Sequence, residues 1–243
     1  MNYFDAGYDD YRTQRVSNLA DLTIQLEHCI PENGQRLLDH STRSLDGSVR
    51  LILRNLEMAL VEMIEEADYV VGCVAWLTSE PILRALAEIK GTQIVVQKED
   101  FLRPDLDARN LWKRRLRKLY DNLRMPLDRY GFPEPVGGMS YCADPTVEPV
   151  RCVGNHNASK SAAFPRAHHK FVVFCRDGLE PYAVWTGTFN FTKNAGASLE
   201  NALVLTDPNI VQAFFDEWAQ LLAISEPLDW RSTWVVPEWR IGS

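Results

Sequence analysis

The 243-residue chain has no apolar run long enough to cross a bilayer. Its longest such run extends only from Tyr69 to Leu77, whereas a transmembrane helix requires about 20 consecutive apolar residues. The first residues of the sequence also lack the basic start and the apolar stretch of a secretory signal peptide. We therefore expect no transmembrane segment and a cytoplasmic location.

The sequence has few cysteines and no net positive charge. The five cysteines are an odd number without regular spacing, so we expect reduced thiols and no disulfide framework. The formal charge is -7 and the pI is about 5.3, which argues against a surface that is basic all over and binds nucleic acid through that charge. A local basic patch is still compatible with this composition.

Several common catalytic and metal-binding patterns are absent. The sequence contains neither a glycine-rich phosphate-binding loop nor a Gly-x-Ser-x-Gly elbow, which argues against P-loop nucleotide hydrolases and serine hydrolases. Cys142, Cys152 and His156 lack the paired spacing of a zinc site. We expect no metal ion and no other cofactor.

The composition, 46% hydrophobic and 24% charged, is typical of a globular protein. We predict one α/β domain over residues 46–225. An N-terminal arm or cap over 1–45 precedes it, and a tryptophan-rich tail over 226–243 follows it. Aromatic residues at such density are expected to dock on the domain or on a partner.

The first part of the domain changes its hydrophobic period. Apolar positions at spacings of three and four predict an amphipathic helix over 49–64. Residues 69–77 form a continuous β-rich run, typical of a strand buried on both faces. A helix capped by Thr78 or Ser79 and a buried strand over 92–97 follow, so the order predicts a βαβ unit with parallel strands.

The second part begins with a predicted amphipathic helix over 106–123. Residues 125–161 are rich in Pro, Gly, Asn and Ser, which predicts an irregular insertion of functional interest. Regular elements then resume: a hairpin with strands over 170–175 and 182–186, a strand over 201–206, and a helix over 208–222.

One segment carries candidate chemistry. His168, His169 and Lys170 stand at the start of a predicted strand. Alternate side chains of a strand share a face, so His168 and Lys170 point one way and His169 the other. Thr188 and Asn190 close the next predicted strand and share a face in the same way. The pattern predicts that the two pairs converge.

This set of side chains suits the cleavage of a phosphodiester. An imidazole can attack phosphorus and form a covalent phosphohistidine. Lys170, Thr188 and Asn190 would donate hydrogen bonds to the non-bridging oxygens. The ammonium supplies the positive charge that many phosphoryl-transfer enzymes obtain from magnesium, so a metal ion is not required.

In order and approximate spacing, the motifs His168-x-Lys170, Gly187-Thr188-x-Asn190 and then Glu200 resemble the signature of the phospholipase D superfamily. The resemblance extends over most of residues 49–222. It implies an α/β fold with a mixed sheet flanked by helices on both faces and one motif per chain. It also implies that Glu200 accepts a hydrogen bond from a histidine nitrogen and fixes its tautomer.

The sequence departs from the signature at one position. Five residues after Lys170 the family has an aspartate, whereas this chain has Cys175, and the nearest acid is Asp177. The family aspartate is expected to support the structure more than the chemistry. The substitution is nevertheless the feature of the sequence that favours a catalytically silent scaffold.

The chain has a single His-x-Lys motif, whereas full-length phospholipases carry two. The resemblance therefore implies a homodimer joined through the active-site face, like the small one-motif nucleases of the superfamily. His168 of one subunit would attack the substrate, and His168 of the other would protonate the leaving oxygen.

We expect a metal-independent endonuclease that cleaves DNA or RNA through a phosphohistidine. A basic stretch on the 106–123 helix is expected to attract the polyanion, with its charges at Lys113, Arg114, Arg117 and Lys118. The alternatives are a phospholipase D or transphosphatidylase acting on phospholipid, and a silent phospholipase D-like scaffold.

Overall fold

The computed structural model describes residues 39–103, 110–138, 145–196 and 198–237. Its strands are β1 (Thr42–Arg43), β2 (Val49–Ile52), β3 (Tyr69–Val74), β4 (Gly91–Gln97), β5 (Val150–Val153), β6 (Lys170–Arg176), β7 (Glu180–Gly187) and β8 (Ala202–Leu205). Its helices are α1 (Leu56–Glu65), α2 (Glu80–Glu88), α3 (Leu111–Asp121), α4 (Lys193–Gly196) and α5 (Pro208–Ala223). Short 3-10 turns cover Asp100–Leu102, Arg129–Gly131 and Asp177–Leu179.

The strands form one eight-stranded mixed sheet in the order β1-β2-β8-β7-β6-β3-β4-β5. β3, β4 and β5 run parallel to one another, and β3 pairs antiparallel with β6. All six residues of β3 and all seven of β4 are buried, as expected of strands covered on both faces. The predicted βαβ unit and the β6–β7 hairpin are both confirmed.

Helices cover both faces of this sheet. α1, α2 and α3 pack on one face, where Trp185 of β7 lies in the apolar core. α5 packs on the other face around Trp218, which is likewise fully buried. The predicted α/β architecture with helices on both faces is confirmed. Within the described ranges, none of the helices combines the length and apolar character that a bilayer span requires.

The prediction of one helix over residues 49–64 is wrong. Residues 49–52 form β2, which pairs antiparallel with β8. The chain then turns through Asn55, whose φ of 53° is left-handed, and α1 starts at Leu56. The apolar residues of the short strand β2 and of α1 follow each other closely in the sequence. Together they imitate the spacings of three and four of a single helix.

Three other predicted boundaries need correction. The predicted 106–123 helix starts only at Leu111, where the Asn110 side chain accepts hydrogen bonds from the first turn; residues 106–109 lie outside the described part. The 125–161 segment is not irregular throughout, because β5 forms the sheet edge beside β4. The predicted 1–45 arm includes β1, which pairs with β2, and residues 1–38 are not described.

A buried ion pair holds the C-terminal tail against the end of β4. Lys98 is fully buried and pairs with Glu226. Its ammonium also donates to the carbonyls of Ser232 at 3.0 Å and Trp234 at 2.8 Å. Trp230 is buried beside it, so the tail docks on the domain, while Trp239 lies outside the described residues.

Replacement of Lys98 is expected to lower the free energy of unfolding. Lys98→Met leaves the Glu226 carboxylate buried without its cation, and breaking such a pair typically costs about 3–5 kcal/mol. Urea denaturation monitored by circular dichroism measures the loss. Lys118→Met, at an exposed position of α3, is the control and is expected to change stability by less than about 0.5 kcal/mol. Equal stability of the two variants would contradict the buried pair's role.

Candidate active site

The predicted motif lies where β6 begins. Lys170 is the first residue of β6 and is only 9% exposed. Its ammonium donates a hydrogen bond of 2.8 Å to the carbonyl of His168. The imidazole of His168 is exposed and stands edge-on to Trp76, with the ring centroids 6.4 Å apart. The two motif residues are thus held side by side at the strand entrance.

His169 points to the opposite face. Its Nε2 lies 3.8 Å from the Glu217 carboxylate on α5. Its ring also contacts Phe171, with the centroids 5.6 Å apart. The alternation predicted from the strand period is therefore present in the structure, and His169 is available as an internal control for His168.

The second half of the motif follows the end of β7. The Thr188 N–H donates to the Asn201 carbonyl at 3.0 Å, and the Thr188 hydroxyl accepts from the Asn201 N–H at 3.1 Å. The hydroxyl keeps its own proton for donation to another group. Asn190 lies two residues on, and its buried Oδ1 has no hydrogen-bond partner among the described residues.

Gly187 allows β7 and β8 to approach closely at this point. A Cβ at position 187 would lie 2.2 Å from the Asn201 carbonyl oxygen, which is far inside van der Waals contact. Any other residue would push apart the two strand ends that carry Thr188 and Glu200. The glycine of the motif is therefore a steric requirement of the site.

Glu200 is half-buried, and its negative charge acts on Lys170. It lines the same cleft as Asn190 and Trp76. No hydrogen bond between Glu200 and a histidine ring occurs within the described residues, so its predicted role in fixing the His168 tautomer stays a prediction.

The electrostatic environment favours a neutral His168. Partial burial lowers the pKa of His168 below its ordinary value, and the positive charges of Lys170 and Arg166 lower it further. Burial also lowers the pKa of Lys170, and the Glu200 charge opposes that shift. A neutral imidazole has a free lone pair, so His168 is suited to nucleophilic attack near neutral pH.

A cleft of about 1010 Å³ adjoins the motif. Asn190 and Glu200 line it at one part, and Phe101 and Trp112 form an aromatic pair in its wall with ring centroids 5.6 Å apart. Trp76 lines the cleft and contacts His168. His168, Lys170 and Thr188 are not lining residues of the cleft, and Trp76 is the link between His168 and its wall.

The four predicted substrate-binding residues do not line this cleft. All four belong to α3: Lys113, Arg114, Arg117 and Lys118. Arg117 borders a separate cavity of about 630 Å³. The basic residue of α3 that lines the cleft is Arg115, which pairs with Glu80 at 2.6 Å. A role of the four in binding substrate is therefore left as a prediction.

Sequence reasoning missed Trp76 and Gln97. Trp76 is the last but one residue of the predicted strand over 69–77 and matches its apolar pattern. Gln97 is buried at the end of β4, next to the loop that leads to His168. The sequence does carry a signal for Gln97, since a polar residue in a continuous buried strand usually has a specific hydrogen-bonding role.

Cys175 lies at the far end of β6. It is fully buried, and burial raises the pKa of its thiol to about 12. Five residues of strand separate it from Lys170, about 17 Å at ~3.3 Å per residue. Near that end, Lys90 pairs with Asp68 at 3.0 Å and with Asp177 at 2.8 Å. The departure from the family signature therefore does not alter the groups around His168.

Two solved structures show a partial similarity to this fold. NucT from Helicobacter pylori is 16% identical, with a TM-score of 0.49, covering 74% of this chain and 98% of that one. The phospholipase D family member Nuc from Salmonella typhimurium is 17% identical, with a TM-score of 0.45, covering 76% and 99%. These likenesses concern the fold alone.

A curated relative gives a closer match in sequence. The chain is 33% identical over 203 residues to uncharacterized protein L381 of Acanthamoeba polyphaga mimivirus, covering 77% of this chain and 69% of that protein. The chain belongs to the same family as L381. No known family profile matches it.

Gly187→Ala is expected to damage the site through the backbone. The added methyl group must displace the Asn201 carbonyl, and strain of this kind typically costs about 1–3 kcal/mol. Thermal denaturation measures the cost. Gly131→Ala is the matched control, because its Cβ would meet its nearest neighbour at 4.0 Å. If both variants melt at the wild-type temperature, the close approach of β7 and β8 is not a constraint.

The lowered pKa of His168 can be read directly by NMR titration. Its imidazole is expected to lose its proton below the ordinary value of 6.5. Lys170→Met removes a neighbouring positive charge, which favours the imidazolium, so the pKa should rise. Lys193→Met removes a lysine that does not act on His168 and should leave it unchanged. A pKa that falls or stays in Lys170→Met contradicts the assignment.

Proposed function

We propose that the protein is a metal-independent phosphodiesterase of the phospholipase D type, and specifically an endonuclease that cleaves DNA or RNA. The observation that carries the proposal is the pairing of His168, whose pKa is lowered, with the ammonium of Lys170 at the entrance of β6. A neutral nucleophile and a fixed cation side by side are what attack on an anionic phosphodiester requires.

In the first step, a ring nitrogen of His168 attacks phosphorus. The bond from phosphorus to the leaving oxygen breaks, and that oxygen takes a proton from the imidazolium of His168 of the partner subunit. In the second step, water attacks the phosphohistidine and gives a proton to the partner subunit's His168. This regenerates the neutral His168 and releases the second phosphate product.

Three further groups serve the non-bridging oxygens. The Lys170 ammonium supplies a full positive charge, and the Thr188 hydroxyl keeps a proton to donate because its oxygen already accepts from Asn201. Asn190 lines the adjoining cleft, and the NH2 group of its side-chain amide would donate to the same oxygens. Preorganised donors of this kind stabilise the charge of the transition state.

The cleft supports nucleic acid as the substrate. Its polar part, with Asn190, borders the phosphate chemistry, and its aromatic part offers Trp112, which is 50% exposed, beside Phe101. Stacking of a base on an aromatic ring contributes about 1–3 kcal/mol and tolerates any base. A phosphodiester flanked by bases therefore fits both parts of the cleft.

Phospholipid is the second candidate substrate, because an exposed tryptophan also suits the apolar part of a lipid. The silent scaffold loses its main support, since Cys175 lies at the far end of β6 from Lys170. Substrate tests distinguish the endonuclease from the phospholipase.

Nucleic-acid cleavage is expected to depend on His168 alone of the two adjacent histidines. In EDTA, the wild-type protein should cut plasmid DNA, single-stranded DNA or RNA, and His168→Ala should lose at least about a thousandfold in rate because the covalent route is closed. His169→Ala, on the α5 face, should keep activity within about threefold of the wild type. Gel assays of cleavage measure all three proteins.

The other outcomes decide against the nuclease. Release of headgroup from phosphatidylcholine with no cleavage of nucleic acid would favour the phospholipase. Equal loss in the two histidine variants would mean that folding, not chemistry, was affected. No turnover of either substrate by the folded protein would favour the scaffold.

If two subunits share one active site, activity should not fall in proportion to the fraction of inactive subunits. When differently tagged wild-type and His168→Ala subunits are co-expressed in equal amounts, about a quarter of dimers carry two wild-type chains. If each reaction needs both histidines, activity per chain should fall to about a quarter of wild type. A fall to half would show that subunits act alone. Light scattering verifies the dimer, and purification through both tags isolates the mixed species.

A further inference from the structure

We propose that Gln97 is the positioning residue that fixes the backbone in front of His168. The inference rests on the proposed function only in taking His168 as the reacting group. Gln97 is the last residue of β4 and is 2% exposed, so it acts through its neighbours and not on substrate.

The side-chain amide of Gln97 uses both of its ends. Its Oε1 accepts a hydrogen bond of 2.7 Å from the N–H of Ala167. Its Nε2 donates to the carbonyl of Asn155 at 2.7 Å and to that of Lys98 at 3.0 Å. One side chain therefore joins the two ends of the loop that runs from Asn155 to Ala167.

The backbone around the amide is shaped to receive it. Gly154 has a φ of +80°, and a Cβ there would lie 2.3 Å from Gln97 Oε1 and 2.7 Å from the Ala167 nitrogen. The N–H of Asn155 also donates to the Pro165 carbonyl at 2.9 Å. The loop is thus closed on itself around the glutamine, and no larger residue fits at Gly154.

Backbone hydrogen bonds also connect Gln97 to the strand end that carries Trp76. The backbone N–H of Gln97 donates to the Ala75 carbonyl at 3.2 Å, and the N–H of Ala75 donates to the His169 carbonyl at 2.8 Å. Ala75 directly precedes Trp76, the ring that stands edge-on to His168. Gln97 therefore fixes the segment before His168 and also helps to fix the strand end that carries its aromatic neighbour.

Only an amide meets these requirements at this position. A carboxylate at position 97 would accept from Ala167 but would face the carbonyl oxygens of Asn155 and Lys98 without a proton to donate. An apolar side chain would leave the Ala167 N–H and the Asn155 carbonyl buried without partners. In either case the loop must shift, and its last residue, Ala167, directly precedes the nucleophile.

The test compares two buried glutamines of the same strand. Gln97→Met removes the clamp, whereas Gln93→Met removes a hydrogen bond of 2.6 Å from Trp218 on the α5 face. Both variants should lower the midpoint of thermal unfolding. Only Gln97→Met should move the His168 imidazole resonances and its NMR titration. With a cleavable substrate, it should also lower kcat about tenfold to a hundredfold with little change in KM, because the nucleophile is misplaced.

The His168 resonances need no substrate, so the proposal is tested even if the protein cleaves nothing. Unchanged resonances in a folded Gln97→Met protein overturn it, and so do equal shifts in Gln93→Met. Wild-type cleavage rates in Gln97→Met overturn it as well and leave the proposed function standing. Shifted resonances in Gln97→Met alone support it, either with a lowered cleavage rate or, if the wild-type protein cleaves nothing, by themselves.

Discussion

The antiparallel pairing of β3 with β6 is the constraint on which the site depends. Its register sets Val74 opposite Lys170, so the residues after β3 lie beside those before β6. Trp76 thereby meets His168, and the backbone of Ala75 bonds to that of His169. A slip of one residue would exchange the faces of His168 and His169 and turn the candidate nucleophile towards α5.

Several polar contacts gather at the end of the sheet where β6 begins. The β7–β8 approach at Gly187 brings the hydroxyl of Thr188 and the charge of Glu200 to the same end as Lys170. Gln97 holds the loop ahead of the motif, and the next residue, Lys98, holds the tail. Fixed geometry at this end comes from backbone and buried side chains, while the cleft beside it stays open to solvent.

The sequence predicted the strongly patterned parts of this fold well. Continuous apolar runs identified β3 and β4, and the period of two separated His168 from His169, because both signals are local. The helix over 49–64 failed because Asn55 adopts a left-handed turn that no spacing rule detects. β5 was missed because its four residues lie within a Pro- and Gly-rich segment and owe their extended form to pairing with β4. Trp76 and Gln97 join the site through contacts across the sheet. A linear pattern marks Gln97 as an unusual strand residue but does not show which residues either side chain contacts.

One feature of the topology bears on how the protein is made. β2 pairs with β8, so Val49 lies opposite Leu205, which is near the far end of the domain's sequence. Neither β2 nor β7 has both of its partners until β8 is present. A ribosome must therefore release almost the whole domain before the sheet can close. Until then the nascent chain exposes the edges of β2 and β7, whose unpaired backbone groups are free to pair with other chains. The groups around His168 are not yet assembled at that stage.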